Sequence, residues 1–402
     1  MCIRDRHRLT PIVSGLLLAA IITGCAVNPV TGRNELSLFD ETQEINLGTN
    51  QYGPSQQSQG GPYTADPELS EYVSKVGQRL ARVSDRSLPY EFVIIDDSTP
   101  NAWALPGGKI GINRGLLVRL NSEAELAAVL SHEIVHAAAR HSAKSIERGL
   151  LVDGVLNAAG AALESGNVNY AGIVQDGARL GSQMLLQSYG REAELESDAY
   201  GMIYMLRAGY DPEAAVSLQE TFVALSSGRS SDWLSGLLAS HPPSEERVAK
   251  NRARAERLNP DNASLELGFE RYQAALANLT SQSKAYDLLE AASKAWAQGN
   301  LAEARDKANQ AKGLEPSIAK THTLLGEIAM KQRDWTAALS HFDRAISQAG
   351  APGYFKDYLG RGLARVSLNQ DSNAKSDLDR SMALLPSEAA KEALDRIENR
   401  QR

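Results

Sequence analysis

One short segment of the sequence has residue types and spacing that could hold a metal ion. His132, Glu133 and His136 lie inside an apolar pattern of helical period that begins near Ser122. The i, i+4 spacing places the two imidazoles on one side of a helix, where they could share a tetrahedral zinc ion. Glu133 could reach a zinc-bound water without being a ligand. Zinc would lower the pKa of that water and the carboxylate would remove and relay its proton, as in a metallohydrolase.

The alternative is a pair of ordinary helix histidines with a surface glutamate between them. With seven histidines in 402 residues, this pattern should arise by chance in on the order of one chain in a hundred. A catalytic zinc also needs a third protein ligand. The histidine motif therefore needs support from elsewhere in the chain.

A second segment, residues 191–198, begins another helical pattern and resembles a known family. Arg191, Glu194 and Asp198 match the Arg-x-x-Glu-x-x-Ala-Asp pattern of the HtpX-type gluzincin metallopeptidases, which include the CAAX prenyl protease. Ser197 stands where alanine is usual. The resemblance is to the periplasmic lipoprotein branch, with BepA- and LoiP-like members. It implies that Glu194 is the third zinc ligand, and that Asp198 and Arg191 belong to the layer behind the ligands.

The segment before the zinc motif also resembles this family. Asn101, Ala102, Trp103 and Ala104 precede Pro-Gly-Gly, where the family has Asn-Ala-Phe-Ala-x-Pro-Gly-Gly. We expect an edge strand beside the zinc helix whose backbone could pair with an extended substrate. An ordinary hairpin with a core tryptophan is the open alternative.

His241 is the last candidate for the site. It lies in Ser-His-Pro-Pro followed by Glu-Arg at 246–247, which resembles the Ser-x-His-Pro-x-x-x-x-Arg stretch of the family, with the serine displaced by one residue. His241 could stabilise the oxyanion or, as the resemblance implies, occupy the fourth zinc position as a latch. A structural histidine is the alternative.

Composition limits the class of protein. Hydrophobic residues make up 43% and charged residues 23%, enough to bury a core. Lys+Arg 42 against Asp+Glu 49 gives a net charge of -7, which argues against nucleic acid as a partner. The only cysteines, Cys2 and Cys25, exclude a disulfide framework and a cysteine-rich metal site.

The N-terminus has the pattern of a secretory signal. A basic start is followed by an apolar run over residues 12–22, too short to span a bilayer comfortably. The run ends in Ile-Thr-Gly-Cys, which resembles the bacterial lipobox, so Cys25 would be lipidated. Ala26 follows instead of aspartate, which implies the periplasmic face of the outer membrane. An ordinary signal peptide or a membrane anchor is the alternative.

The rest of the chain divides by pattern. Residues 50–66 are rich in Gln, Gly and Pro and predict a tether; a helix begins at Pro67, a strand covers 90–95, and a hairpin turns at 106–108. We predict five segments: a lipoprotein signal peptide (1–24), an N-terminal tether and short helix (25–66), a zinc metallopeptidase domain (67–258), a connecting helix (259–280) and a tetratricopeptide-like repeat domain (281–402).

The repeat is predicted from a 34-residue recurrence. Ala304, Ala308 and Ala311 correspond to Ala338, Phe342 and Ala345, and Ala292 corresponds to Gly326. A third copy, displaced by two residues, carries Gly362, Ala374 and Leu378. An arbitrary alanine-rich bundle is the alternative. The predicted fold is mainly α: a gluzincin domain with a small β-sheet, followed by an α-solenoid.

The sequence thus predicts a periplasmic zinc endopeptidase with one zinc ion per chain, lipid-anchored to the outer membrane of a Gram-negative bacterium. By resemblance, its substrates would be misfolded or stalled outer-membrane proteins, and the repeat would dock them or the outer-membrane assembly machinery. The rival hypothesis is a chaperone or assembly scaffold whose metal site is silent or latched.

Overall fold

The computed structural model describes residues 25–149, 189–227, 239–260 and 264–401. These residues are mainly helical with little sheet, which confirms the predicted fold class. Within those ranges, no helix combines the length and apolar character that a membrane span requires. The predicted signal peptide, residues 1–24, lies outside the described residues.

The described strands form two small sheets. Their bounds are β1 Cys25–Val27, β2 Asn34–Leu36, β3 Glu91–Ile95, β4 Ala102–Leu105 and β5 Lys109–Asn113. β1 pairs with β2 in an antiparallel hairpin. The second sheet has the order β3-β5-β4, with β3 parallel and β4 antiparallel to β5. The predicted strand and hairpin are confirmed, and β4 lies at an edge of its sheet.

Eight helices with defined bounds precede the repeat among the described residues. Their bounds are α1 Glu41–Ser58, α2 Pro67–Ala81, α3 Arg114–Leu117, α4 Glu123–Ala138, α5 Arg191–Arg207, α6 Glu213–Ser227, α7 Glu245–Leu258 and α8 Phe269–Ser281. Residues 141–149 are also helical.

The prediction of a tether over 50–66 is wrong for its first half, because α1 continues to residue 58. Asp40 and Gln43 form a capping box at the start of α1. Gly48 lies so close to the turn after β4 that an added Cβ would meet the Pro106 carbonyl oxygen at 1.8 Å. Docking against the sheet therefore stabilises a helix whose polar composition did not predict it.

The helix α4 carries the histidine motif through the centre of the protein. Leu126, Leu130 and Ile134 are all 0% exposed. Ser122 caps the helix and accepts a hydrogen bond from the Glu125 backbone N–H. The Glu125 carboxylate accepts from the Asn121 N–H instead of that of Ser122, so only one of the two hydrogen bonds of a capping box forms. A buried, capped helix gives the side chains of the motif a rigid support.

Seven helices form the C-terminal repeat. Their bounds are α9 Ser283–Ala297, α10 Leu301–Leu314, α11 Ala319–Lys331, α12 Trp335–Ala349, α13 Phe355–Ser367, α14 Asp371–Leu384 and α15 Glu388–Gln401. The recurrent positions are buried as the pattern predicts. Gly326 leaves room for the Phe342 ring, because a Cβ added at Gly326 would lie 2.8 Å from that ring. Gly362 leaves room for Leu378 in the same way, since an added Cβ would lie 2.9 Å from the Leu378 side chain. Paired helices with these small-to-large contacts confirm the predicted helical repeat.

The repeat contacts the N-terminal part of the protein through buried hydrogen bonds. The Gln57 side chain donates to the Gly353 carbonyl at 2.9 Å and accepts from the Phe355 N–H at 2.8 Å. The Thr64 hydroxyl donates to the Ala349 carbonyl at 2.6 Å. The two bonds of Gln57 join the end of α1 to the start of the third helix pair, and the bond of Thr64 joins the segment after α1 to the last residue of α12.

Candidate metal centre

Two histidines of α4 face each other at the centre of the molecule. Nε2 of His136 lies 3.0 Å from Nε2 of His132, and His136 is completely buried. The i, i+4 spacing has therefore brought the two imidazoles together as the sequence predicted.

The helix α5 brings Glu194 to the same point. Its Oε2 lies 3.4 Å from His132 Nε2, and its Oε1 lies 3.3 Å from His136 Nε2. α5 approaches α4 closely at Gly201, where an added Cβ would lie 3.3 Å from the His132 backbone nitrogen. A glycine at this crossing allows the carboxylate to reach the imidazoles.

His241 completes the group. Its Nδ1 lies 3.0 Å from Glu194 Oε1 and 3.4 Å from His132 Nε2. One ligand atom from each of His132, His136, Glu194 and His241 can be chosen so that all four lie within 4.8 Å of one another. Three imidazoles and a carboxylate are a donor set suited to zinc, so these residues fit the metal that the sequence predicts.

Burial and neighbouring charges set the protonation of this group. Burial lowers the pKa of His136 well below its usual value, which keeps that imidazole neutral. For Glu194, the nearby His241 and His132 overcome burial and hold its pKa well below the usual range. For His132, Glu194 and Asp198 overcome burial and raise its pKa to about 10. Metal uptake must therefore displace a proton from His132.

Glu133 lies beside the group. It is buried, its Oε2 accepts no hydrogen bond, and its Oε1 lies 3.4 Å from His241 Nε2. Burial raises the pKa of Glu133. An unpaired carboxylate oxygen with a raised pKa is suited to accept and return a proton.

A buried ion-pair network lies behind the ligands. Asp198 Oδ1 lies 3.0 Å from His132 Nδ1, as predicted for this residue. Arg247 donates to both Asp198 oxygens at 2.7 Å and approaches Glu194 Oε2 at 2.8 Å. Burial opposes ionisation, but bonds from Arg247 lower the pKa of Asp198 to about 2. The guanidinium thus compensates two buried carboxylates.

The prediction that Arg191 belongs to this layer is wrong. Its side chain is 67% exposed and pairs with Glu246 at the surface. Arg191 is the first residue of α5, one turn before Glu194, and it points away from the ligands. The arginine in this layer is Arg247, which occupies the last position of the family motif that contains His241.

His141 is a site residue that sequence reasoning missed. Its Nδ1 lies 3.0 Å from His136 Nδ1, and its Nε2 lies 3.2 Å from Glu196 Oε1. Extending the α4 helix would point His141 elsewhere, but α4 ends at Ala138 and Arg140 has φ 63°. The left-handed residue reverses the direction of the chain and brings His141 behind His136. No residue pattern marks a left-handed arginine.

The edge strand β4 lies beside the site, but its side chains have different roles. Trp103 is 4% exposed, packs on Gly111 and makes an edge contact with Tyr52, so the core-tryptophan alternative describes it. Asn101 accepts a hydrogen bond from the Ser240 hydroxyl at 3.2 Å. The Ala104 carbonyl accepts from the hydroxyls of Ser142 and Tyr189.

Ala102 lies at a cavity that adjoins His132 and Glu133. We call this the apolar cavity; its further lining includes Val129, Met202, Met205, Ala215, Leu218 and Phe222. Tyr189 covers another side of the histidine pair: its ring stacks on the His136 ring, with the two ring centroids 3.8 Å apart. The apolar cavity is therefore a candidate site for a substrate side chain next to the reacting bond.

Two histidines one turn apart on a helix, with a carboxylate between them and a further glutamate from α5, form the HExxH arrangement of a metallopeptidase site. Residues 67–255 match the model of Peptidase family M48. The chain therefore carries a peptidase family M48 domain, in agreement with the resemblance found in its motifs.

Curated relatives extend this similarity. The putative beta-barrel assembly-enhancing protease of Vibrio cholerae is 33% identical over 50% of this chain and 42% of the relative. The Schizosaccharomyces pombe mitochondrial metalloendopeptidase OMA1 is 38% identical over 44% and 51%. The Escherichia coli K12 beta-barrel assembly-enhancing protease is 28% identical over 69% and 57%. The chain thus spans about half the length of these three relatives.

Among solved structures, the first TPR of Spaghetti (RPAP3) bound to an HSP90 peptide is 26% identical, covering 30% of this chain and 94% of that chain, with a TM-score of 0.29. That TM-score is too low to support a conclusion about this chain.

Proposed function

We propose that this chain is a zinc-dependent endopeptidase of the Gram-negative envelope. The observation that carries the proposal is the grouping of ligand atoms from His132, His136 and Glu194, with the unpaired Oε2 of Glu133 beside them. The M48 domain and the relatives named as proteases support the same activity.

In this proposal, His132, His136 and Glu194 hold one zinc ion. Zinc, when bound, supplies a Lewis acid that activates a water and polarises the scissile carbonyl. Glu133 would accept a proton from the attacking water as general base, and its raised pKa would allow it to keep the proton until the leaving amine receives it. Asp198 orients His132, and Arg247 balances the charge behind the ligands.

We place the substrate backbone along β4, near Ala102, with a side chain in the apolar cavity. The position of β4 at the edge of its sheet supports this assignment. Ala104 contributes little to it, because its carbonyl is already bonded within the chain. His241 acts either on the oxyanion or as a fourth ligand that must leave before substrate binds.

The substrates we propose are misfolded or stalled envelope proteins, in particular outer-membrane proteins. Relatives from Vibrio cholerae and Escherichia coli named as beta-barrel assembly-enhancing proteases support this class. The helical repeat would dock the substrate or the outer-membrane assembly machinery. Lipidation of Cys25 would anchor the protein to the outer membrane on its periplasmic side. Replacing Cys25 with serine should then move the protein from the membrane fraction to the soluble periplasmic fraction.

The test is the zinc content of the purified protein together with casein cleavage, for wild type and Glu133→Gln. One zinc per chain in both proteins, with cleavage only by wild type, is the expected result, because the variant keeps all ligands and loses the base. Absence of zinc from both would contradict the site assignment.

One observation favours the rival hypothesis of a latched scaffold. His241 occupies the same group as the three proposed ligands, where it would take the position that a reacting water needs. One zinc in both proteins and cleavage by neither would support that hypothesis. A scaffold should also keep its biological role in cells that carry Glu133→Gln, whereas a protease should lose it.

A further inference from the structure

An N-terminal arm, residues 25–58, packs against the end of the metal-binding helix. The arm consists of β1, β2 and α1, and it precedes the segment 67–255 that matches Peptidase family M48. Its Asn28 side chain donates a hydrogen bond to the Ala139 carbonyl at 3.2 Å. Residues outside the family match therefore contact the turn that follows α4.

Glu44, in the middle of the arm, is 0% exposed and binds two arginines. Its two oxygens accept from the Arg86 guanidinium at 2.9 and 3.1 Å. Its Oε2 also accepts from Nε of Arg140 at 2.9 Å. Without this carboxylate, the two buried guanidinium groups would lose a negative charge that compensates them.

Further contacts from the arm and from Glu147 hold Arg140 in place. Its guanidinium donates to the Phe39 carbonyl and to Glu147 Oε1, both at 3.0 Å. Glu147 Oε1 also accepts from the backbone N–H groups of Leu38 and Phe39. Arg140 has φ 63°, a conformation that residues other than glycine rarely adopt, so these contacts must stabilise it.

The left-handed turn at Arg140 determines where His141 lies. Because Nε2 of His141 faces the Glu196 carboxylate, the His141 proton is on Nε2, and its Nδ1 can accept a hydrogen bond from Nδ1 of His136 at 3.0 Å. His141 then donates from Nε2 to Glu196. A hydrogen-bond partner behind a metal-binding imidazole fixes its tautomer and its ring orientation.

We propose that Glu44 is a positioning residue for the metal centre: through Arg140 it maintains the turn that holds His141 against His136. The proposal rests on the assignment of His136 as a metal ligand. The N-terminal arm would then help to set the geometry of the metal centre, although the residues of the arm include none of the proposed ligands.

The test compares the zinc dissociation constants of wild type and Glu44→Gln, measured by competition with a chelator. Wild-type binding tests the proposed metal site, and the difference between the two proteins tests the role of Glu44. We expect affinity to fall by about tenfold in Glu44→Gln, the lower end of the range for residues behind a ligand. Imidazole nitrogen shifts of metal-free protein should also show mixed His136 tautomers in the variant.

Glu41→Gln is the matched control. Glu41 lies on the same helix and binds the same Arg86, but its side chain is 61% exposed and makes no contact with Arg140. Should Glu44→Gln fail to fold, Glu147→Gln weakens the other carboxylate on Arg140 and should also reduce zinc affinity.

A double-mutant cycle with His141→Phe tests whether the effect of Glu44 on zinc affinity passes through His141. If Glu44 acts through His141, Glu44→Gln should add nothing to the loss of affinity in His141→Phe. A folded Glu44→Gln protein with the zinc affinity of Glu41→Gln would overturn the proposal. So would additive losses in the double variant.

Discussion

Nδ1 of His132 lies 3.0 Å from Oδ1 of Asp198, which is one helical turn beyond Glu194 on α5. One face of α5 thus supplies both a candidate ligand and the group that orients another ligand. Arg247, from α7, binds both carboxylates. Positions on three helices must therefore be correct together before the site can form.

Replacing Arg247 with methionine should destabilise the metal-free protein strongly. Asp198 and Glu194 would be left as buried carboxylates without their guanidinium, and breaking a buried pair of this kind costs about 3–5 kcal/mol. Zinc should restore part of the lost stability, because the ion supplies positive charge at the same place. Chemical denaturation with and without zinc measures both effects.

Arg191→Met is the control for this experiment. Arg191 is also paired with a glutamate, but at the surface, where solvent screens such pairs and they contribute little to stability. Equal losses of stability in the two variants would contradict the role assigned to Arg247.

His241→Ala should raise the rate of peptide cleavage while one zinc per chain remains bound. His132, His136 and Glu194 would still provide three ligands, and the position that His241 occupies would become open to water. Casein cleavage and zinc content of the variant test this. A large fall in cleavage with zinc retained would instead support a role for His241 at the oxyanion.

Filling the apolar cavity should change which peptides are cleaved. Ala215 lines the cavity, so Ala215→Leu should shift preference from large apolar side chains next to the cleaved bond to smaller ones. The effect should be about tenfold in relative kcat/KM, since one or two methylene groups in a pocket discriminate by that much. Cleavage of a peptide series that differs at one position measures it.

Ser217→Leu adds a similar side chain to the exposed side of the same helix α6. It should leave the preference unchanged. A shift common to both variants would mean that the change arises from the helix as a whole and not from the cavity.

Asp357 makes the stability of the repeat depend on pH. Burial raises its pKa from 3.8 to about 7, and its Oδ2 has no hydrogen-bond partner. The folded state therefore holds the proton more tightly than the unfolded chain. Its stabilising contribution is full below about pH 4 and is lost as the pH rises to 7, a change of about 4 kcal/mol.

Asp357→Asn should remove this dependence, because asparagine resembles the protonated acid and keeps the acceptor for Thr323. Urea unfolding should show the variant close to wild type near pH 4 and more stable than wild type at pH 8. Asp343→Asn changes the same charge on an exposed side chain of the repeat and should show no such gain. A constant difference between Asp357→Asn and wild type across this range would contradict the assigned pKa.

Much of the fold and of the candidate site follows from local sequence pattern. His132, Glu133 and His136 are set by helical spacing, and Glu194 by a motif at the start of α5. The repeat is predicted because a small residue facing a large one, Gly326 with Phe342, occurs again as Gly362 with Leu378. The sizes of these residues therefore indicate where the helices pack. Such features depend on residues within one or two elements.

The remaining features depend on contacts between distant segments. Residues 50–58 are helical because α1 docks on the sheet, which their polar composition does not reveal. His141 reaches His136 only because Arg140 leaves the helical conformation, under contacts from Glu44. Arg191 begins one family motif and Arg247 ends another. Only the packing of α7 on α5 shows which of the two arginines lies behind the candidate ligands.

The two hydrogen bonds of Gln57 have a consequence for how a bound polypeptide would be cut. Because they fasten the third helix pair to the end of α1, the repeat cannot swing freely about the metal centre. A chain held on the repeat would meet Glu133 at a fixed contour length from its point of attachment. Distance along the substrate from its point of attachment would then select the peptide bond that is cleaved, and local sequence would only refine the choice.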